Sequence, residues 1–105
     1  MFYIYILHSS SADKYYVGYT SNPVQRLKEH NEQEAFNTYT SKFRPWQMAA
    51  LFECGTNEND PIGLERFIKK QKSRKLLELL CDIELNSKRK TQAAYPTTDD
   101  VKRVT

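Results

Sequence analysis

Two short runs decide the fold: Phe2-Tyr3-Ile4-Tyr5-Ile6-Leu7 and Lys14-Tyr15-Tyr16-Val17-Gly18-Tyr19. Both are rich in aromatic and β-branched residues, which fit a pleated, half-buried surface. The segment between them, His8-Ser9-Ser10-Ser11-Ala12-Asp13, is polar and turn-forming. Two strands joined by so short a polar loop make an antiparallel hairpin. Gly18 interrupts the second strand, and a glycine there marks a bulge or the close approach of a ligand.

Working outward, Asn22-Pro23-Val24-Gln25 reads as a helix start: a side-chain cap, a proline at the first helical position and a capping-box Gln. That helix should end near Asn31, with Arg26 and His30 on one face because they are four apart. Residues 32–45 are mixed and polar and read as a loop with at most a short helical turn. Residues 46–54 read as a third strand and 55–59 as a turn. A second helix should be capped by Asp60, start at Pro61 and run to about Lys72. Ser73 then caps a third, whose Leu76, Leu77, Leu79, Leu80 and Ile83 follow helical spacing. The order is ββαβαα, an α+β domain with a three-stranded antiparallel or mixed sheet flanked by helices. Residues 1–85 should form this domain. Residues 86–105, poor in aliphatic side chains, read as a flexible basic and polar tail.

Composition narrows the possibilities further. At 105 residues the chain suits one domain, large enough for a core without disulfide staples. It is 39% apolar and 12% aromatic, the profile of a globular protein. No run approaches the roughly 18–20 apolar residues of a membrane span, and the first residues lack the pattern of a signal peptide. Cys54 and Cys81 form no CxxC pattern, so reduced core thiols in a cytoplasmic protein are expected. The net charge of +3 is unevenly spread. Residues 1–60 carry a net −2 and residues 61–105 a net +5, a split consistent with a polyanionic partner.

Glu65 flanks the apolar stripe of its helix, three residues from both Ile62 and Ile68. A carboxylate so placed needs a partner, either a metal ion or a basic side chain. The whole ordered set then forms a pattern. Tyr3-Ile4-Tyr5, ten residues, Tyr16-Val17-Gly18, then Arg26-Leu27-Lys28-Glu29-His30 and the later Glu65 resemble the GIY-YIG nuclease superfamily. Thr40, Arg44-Pro45-Trp46, Lys69-Lys70 and Arg74-Lys75 resemble its small single-domain bacterial branch, similar to the nuclease domain of the excinuclease C subunit. The chain departs from the superfamily's pattern in three places. Tyr3 stands where the first signature has glycine, and Tyr19 where several relatives have lysine. Leu76-Leu77-Glu78-Leu79-Leu80 replaces a stretch that often holds an asparagine.

The resemblance implies a mixed α/β domain with a three-stranded antiparallel sheet and a metal-dependent endonuclease that cuts DNA. Tyr16 would activate the attacking water, with Tyr5 orienting the water or Tyr16. Arg26 would hold the scissile phosphate, His30 would assist proton transfer or phosphate contact, and Glu65 would bind one Mg²⁺ or Mn²⁺ ion. Substrate contacts are expected from Tyr19, Arg44, Lys69, Lys70 and Arg74. The chemistry is coherent: a guanidinium suits a developing phosphate charge, and Mg²⁺ works with one hard carboxylate plus waters. A tyrosine base is less natural, since its unperturbed pKa is about 10. No recognition module is evident, so structure-specific or non-specific cutting of DNA, directed by a partner protein, fits best, in DNA repair or recombination. Two other readings are a non-catalytic nucleic-acid-binding module of the same fold and a protein-interaction domain built on the third helix.

Overall fold

β1 (Tyr3–Ser9) is the middle strand of a three-stranded sheet, with β2 (Lys14–Thr20) on one side and β3 (Gln47–Glu53) on the other. The structure, a computed structural model, describes residues 1–33 and 37–91, with the last seven of these by backbone alone. Both pairings are antiparallel. The helices are α1 (Pro23–Glu32), the single turn α2 (Thr38–Ser41), α3 (Asn59–Lys70) and α4 (Arg74–Thr91). The order is thus ββααβαα, the expected α+β arrangement with α2 added inside the loop. No described helix is long and apolar enough to cross a membrane.

The uninterrupted apolar run of β1 follows from its burial on both faces, the usual reason for a strand without polar alternation. Ile4 and Ile6 point to one side, packing with Val17, Ala50 and Ile68 and then with Leu77, Leu80 and Cys81 of α4. Tyr5 and Leu7 point to the other, packing with Leu27 of α1, Trp46 and Met48. A register shift lies between Ile6, opposite Ala50, and Leu7, opposite Met48. Ala49 is skipped, so the larger Met48 is set against Leu7 on the inner face.

The helix starts show where local chemistry is decisive. Asn22 Oδ1 accepts from the Gln25 N–H (3.2 Å), as expected of a cap. The reciprocal half of the capping box is replaced, because Thr20 Oγ1 accepts from the Asn22 N–H (3.0 Å). Ser73 Oγ accepts from the Leu76 N–H (3.1 Å) and starts α4. α3 begins one residue earlier than Asp60. Asn57 organises that start, accepting from the Asn59 N–H with its side chain (3.0 Å) and from the Asp60 N–H with its carbonyl (3.1 Å). Asp60 therefore sits inside the first turn, where an acid complements the helix dipole. The backbone of α4 continues to Thr91, past the boundary expected at residue 85. Lys88, Arg89 and Lys90 are good helix formers. The rest of the expected tail, residues 92–105, lies outside the described residues.

One side chain clamps α1 to the start of β3. Asn31 Nδ2 donates to the Trp46 carbonyl (2.9 Å), and Asn31 Oδ1 accepts from the Trp46 N–H (2.6 Å). The Trp46 ring is fully buried and its Nε1–H donates to the Thr40 carbonyl (2.8 Å). Replacing Asn31 by Ala leaves two backbone groups without these partners, at a cost of about 1–3 kcal/mol. Urea unfolding of N31A against wild type measures it, and an unchanged midpoint would show that the clamp is dispensable.

Candidate active site

Four elements converge on the inner face of the sheet, where β1 supplies Tyr5, β2 supplies Tyr16 and Gly18, α1 supplies Arg26 and His30, and α3 supplies Glu65 and Lys69. The strand register sets Tyr5 directly opposite Gly18. The Tyr5 ring crosses the Gly18 backbone so closely that a Cβ built there would collide with the phenol ring and hydroxyl. Glycine is required here by close approach, as its place inside a strand implied, although the approaching group is a side chain and not a ligand.

Leu27 and His30, one turn apart on α1, are both buried. That face carries the His30 imidazole to Tyr5, whose hydroxyl lies 2.9 Å from His30 Nε2, and His30 Nδ1 lies 3.0 Å from Thr40 Oγ1. A neutral imidazole donates at one nitrogen and accepts at the other. We assign the tautomer from the network: the Tyr5 hydroxyl donates to Nε2, Nδ1–H donates to Thr40 Oγ1, and the Thr40 hydroxyl faces the Asn37 carbonyl (3.5 Å). Each proton in this buried chain then has an acceptor.

Electrostatics supports the same assignment. Burial pushes the Tyr5 phenol well above its ordinary range; Tyr16 adds to the shift, the Arg26 charge opposes it, and Glu65 adds again. Tyr5 therefore acts as a fixed donor. Burial, reinforced by the nearby charges of Arg26 and Arg44, brings His30 down to about 4. The imidazole is neutral at pH 7.

Tyr16 is different. It is half-buried, its ring centroid lies 6.4 Å from that of Tyr5 and 4.9 Å from that of His30, and its hydroxyl accepts from Asn37 Nδ2 (3.3 Å). Lys69 Nζ lies 5.3 Å from the Tyr16 ring centroid and 2.6 Å from Glu65 Oε1. Through this lysine, Glu65, only 18% exposed, is tied to the face of the tyrosine. Arg26 sits one turn before His30, with Nε 4.0 Å from Glu29 Oε1. Tyr5, Tyr16, Arg26, His30 and Glu65 thus share one locality.

The expected substrate contacts divide. Lys69 is part of the site. Tyr19 is not, because strand alternation turns it to the other face, where its hydroxyl donates to Glu58 (3.4 Å). Arg44 is committed to the C-terminal end of α1, donating to the carbonyls of His30 (2.7 Å) and Gln33 (2.6 Å). Arg74 pairs with Asp13 (2.6 Å) and Glu78 (3.0 Å) and lies over the Tyr15 ring. Lys70 is exposed at the end of α3. Asn37, not expected at the site, caps α2 and reaches Tyr16. Its signal was an Asn three residues before Thr40, the spacing of an N-cap.

The fold and the paired Tyr5 and Tyr16, with Gly18 under the first ring, define a class, and a family model described as the GIY-YIG catalytic domain matches residues 1–78. The chain belongs to the GIY-YIG family. It is 38% identical over 80 residues to the UPF0213 protein in the ldhD 5' region of Pediococcus acidilactici, covering 75% of this chain and 80% of that one. It is 43% identical over 71 residues to the structure-specific endonuclease subunit SLX1 of Debaryomyces hansenii, covering 63% of this chain and 20% of the relative. An SLX1 homolog of Drosophila mojavensis is 31% identical over 99 residues, covering 88% of this chain and 33% of the relative. The chain therefore spans about a fifth to a third of these SLX1 proteins. No solved structure matches the chain.

Two outcomes follow from this geometry. G18A forces the Tyr5 ring off its bond to His30, and overpacking of this kind costs about 1–3 kcal/mol, readable by urea unfolding. The second concerns pH. Folded His30 takes its proton only near pH 4, whereas the ordinary value is 6.5, so between these values the unfolded chain binds the extra proton. His30's contribution is fully present above about pH 6.5 and is lost as pH falls towards 4, to the extent of about 3 kcal/mol. Unfolding midpoints between pH 4 and 8 should show this slope in the wild type and lack it in H30Q.

Proposed function

We propose that this protein is an endonuclease that hydrolyses phosphodiester bonds in DNA using one divalent metal ion, Mg²⁺ or Mn²⁺, in DNA repair or recombination. The observation that carries the reading is the convergence of Tyr5, Tyr16, Arg26, His30 and Glu65 from four separate elements. Tyr16, the half-exposed member of the tyrosine pair, takes the proton of the attacking water. Tyr5, locked onto His30, orients Tyr16 or that water. Arg26 supplies a permanent positive charge for the phosphate. The SLX1 relatives bear the name of structure-specific endonuclease subunits, which supports branched or otherwise non-uniform DNA as substrate and a partner protein that directs the cut.

The residues present fit a metal ion of the proposed kind. Glu65 is a poorly exposed hard-oxygen ligand that already draws a cation, the Lys69 ammonium, to 2.6 Å. No group of three or more potential ligands exists among the described residues. The ion would rest on Glu65, waters and phosphate oxygens, a habit of Mg²⁺. When bound, it neutralises charge developing on the leaving oxygen.

A panel of supercoiled, duplex and branched DNA with Mg²⁺ or Mn²⁺ tests the reading. Cleavage should fall roughly 100-fold or more in Y16F, since a positioned acid–base group contributes on that order. It should fall similarly in E65Q and cease in EDTA. Cutting that survives both substitutions would overturn the site, and DNA binding with no cutting by the wild type would assign a non-catalytic module.

A further inference from the structure

A cleft of about 490 Å³ opens beside Tyr16, between β2, α2 and the corner where α3 turns into α4. Its volume is that of a site for one small organic group, too small for a duplex. Tyr16 forms one wall, so an occupant of the cleft lies next to the phenol assigned to the attacking water. Ile68 and Leu77 supply an apolar lining.

Two observations define the chemistry of an occupant. Tyr39, also in the lining, is 43% exposed, yet its ring is braced. The Phe43 ring meets it edge-on at 5.2 Å, and Tyr16 lies nearly parallel to it at 6.3 Å. A fixed aromatic ring with an open face is a stacking platform, and every nucleobase offers a matching π-face. The rim, meanwhile, is cationic. Lys14 lines the cleft from β2, held over the Phe43 ring at 5.1 Å, and Lys72 lines it from the α3–α4 corner, where its backbone is left-handed (φ 49°). Both are exposed, and neither forms an ion pair among the described residues, whereas Arg74 is neutralised by Asp13 and Glu78.

We propose that this cleft binds one unpaired nucleotide adjoining the scissile phosphate, with its base against Tyr39 and its own phosphate between Lys14 and Lys72. The inference rests on the nuclease reading and narrows it. The substrate carries a single-stranded segment at the cut, and the preference is for unpairedness and not for a base sequence, because stacking reads no hydrogen-bond pattern. A uniform duplex offers no free base to the cleft.

The test uses the full chain in EDTA, with a short single strand carrying 2-aminopurine and the same sequence as a duplex. The single strand should bind more tightly and change fluorescence on binding. Y39L should weaken that binding about tenfold, while Y39F, which keeps the ring, should stay within about twofold. The K14A/K72A double variant tests the phosphate half, and should flatten the dependence of log affinity on log salt by up to about two phosphate contacts; K72A alone, which leaves Lys14 over the Phe43 ring, should flatten it by about one. Thermal unfolding of each variant confirms that it is folded. Wild-type affinity in folded Y39L, an unchanged salt slope in K14A/K72A, or equal affinity for duplex and single strand would each overturn the proposal. Single-strand binding that depends on Tyr39 in a protein that cuts nothing would uphold the cleft and remove the nuclease reading. Cutting that depends on Glu65 but is indifferent to Tyr39 would do the reverse.

Discussion

The hydrogen bond from the Tyr5 hydroxyl to His30 is the constraint on which the inner face of the sheet is organised. It is buried, so it is made in a medium where an unmet polar group is costly. It also joins distant parts of the chain. Tyr5 belongs to the middle strand and His30 to α1. His30 passes the network to Thr40 of α2, and the Thr40 carbonyl receives the Trp46 indole at the start of β3. Arg44 closes the same circuit by donating to the His30 carbonyl. Moving any one of these groups would leave another buried donor or acceptor without its partner. The network therefore fixes the angle of α1, and with it the place of Arg26.

Much of this was legible in the sequence, and the reason is locality. β1 and β2 were readable from residue type, Asn22 and Ser73 from their capping chemistry, and β3 to within a residue at either end. Tyr5, Tyr16, Arg26, His30 and Glu65 were readable as an ordered set, and the structure brings them together. What was not legible depended on which of several competing partners wins, near or far along the chain. Arg44 looks like a phosphate ligand until α1 presents the carbonyls of His30 and Gln33 to it. Asp60 looks like a cap until Asn57 takes over that start. The face on which Tyr19 lies could have been read from the alternation of β2 alone: if Tyr16 and Gly18 point one way, their odd-numbered neighbour points the other.

The uneven charge of the chain acquires a more specific meaning. Among the described residues, the basic side chains that follow residue 60 do not form one uniform surface. Lys69 is engaged by Glu65, and Arg74 by Asp13 and Glu78. Among the described residues, the cleft cations outside an ion pair are Lys14 and Lys72, one from each part of the chain. The locality around Tyr5 and Tyr16 is itself mixed in sign: Arg26 and Lys69 are set against Glu65 and Glu29. Such an arrangement suits the proposed site, in which an anion is held while one carboxylate is kept for a cation.

The two signatures of the family pattern carry unequal physical weight, and the register explains why. In the second, Gly18 lies under the Tyr5 ring, and any Cβ would strike a side chain that His30 prevents from moving away. In the first, the position occupied by Tyr3 is at the end of the middle strand, opposite Thr20 and Glu53 and half-buried. Tyr3 sits there beside Phe52 and Glu84. The glycine needed by the site's geometry is the one that gives the Tyr5 phenol room to lie flat across its neighbouring strand and present its proton to the imidazole.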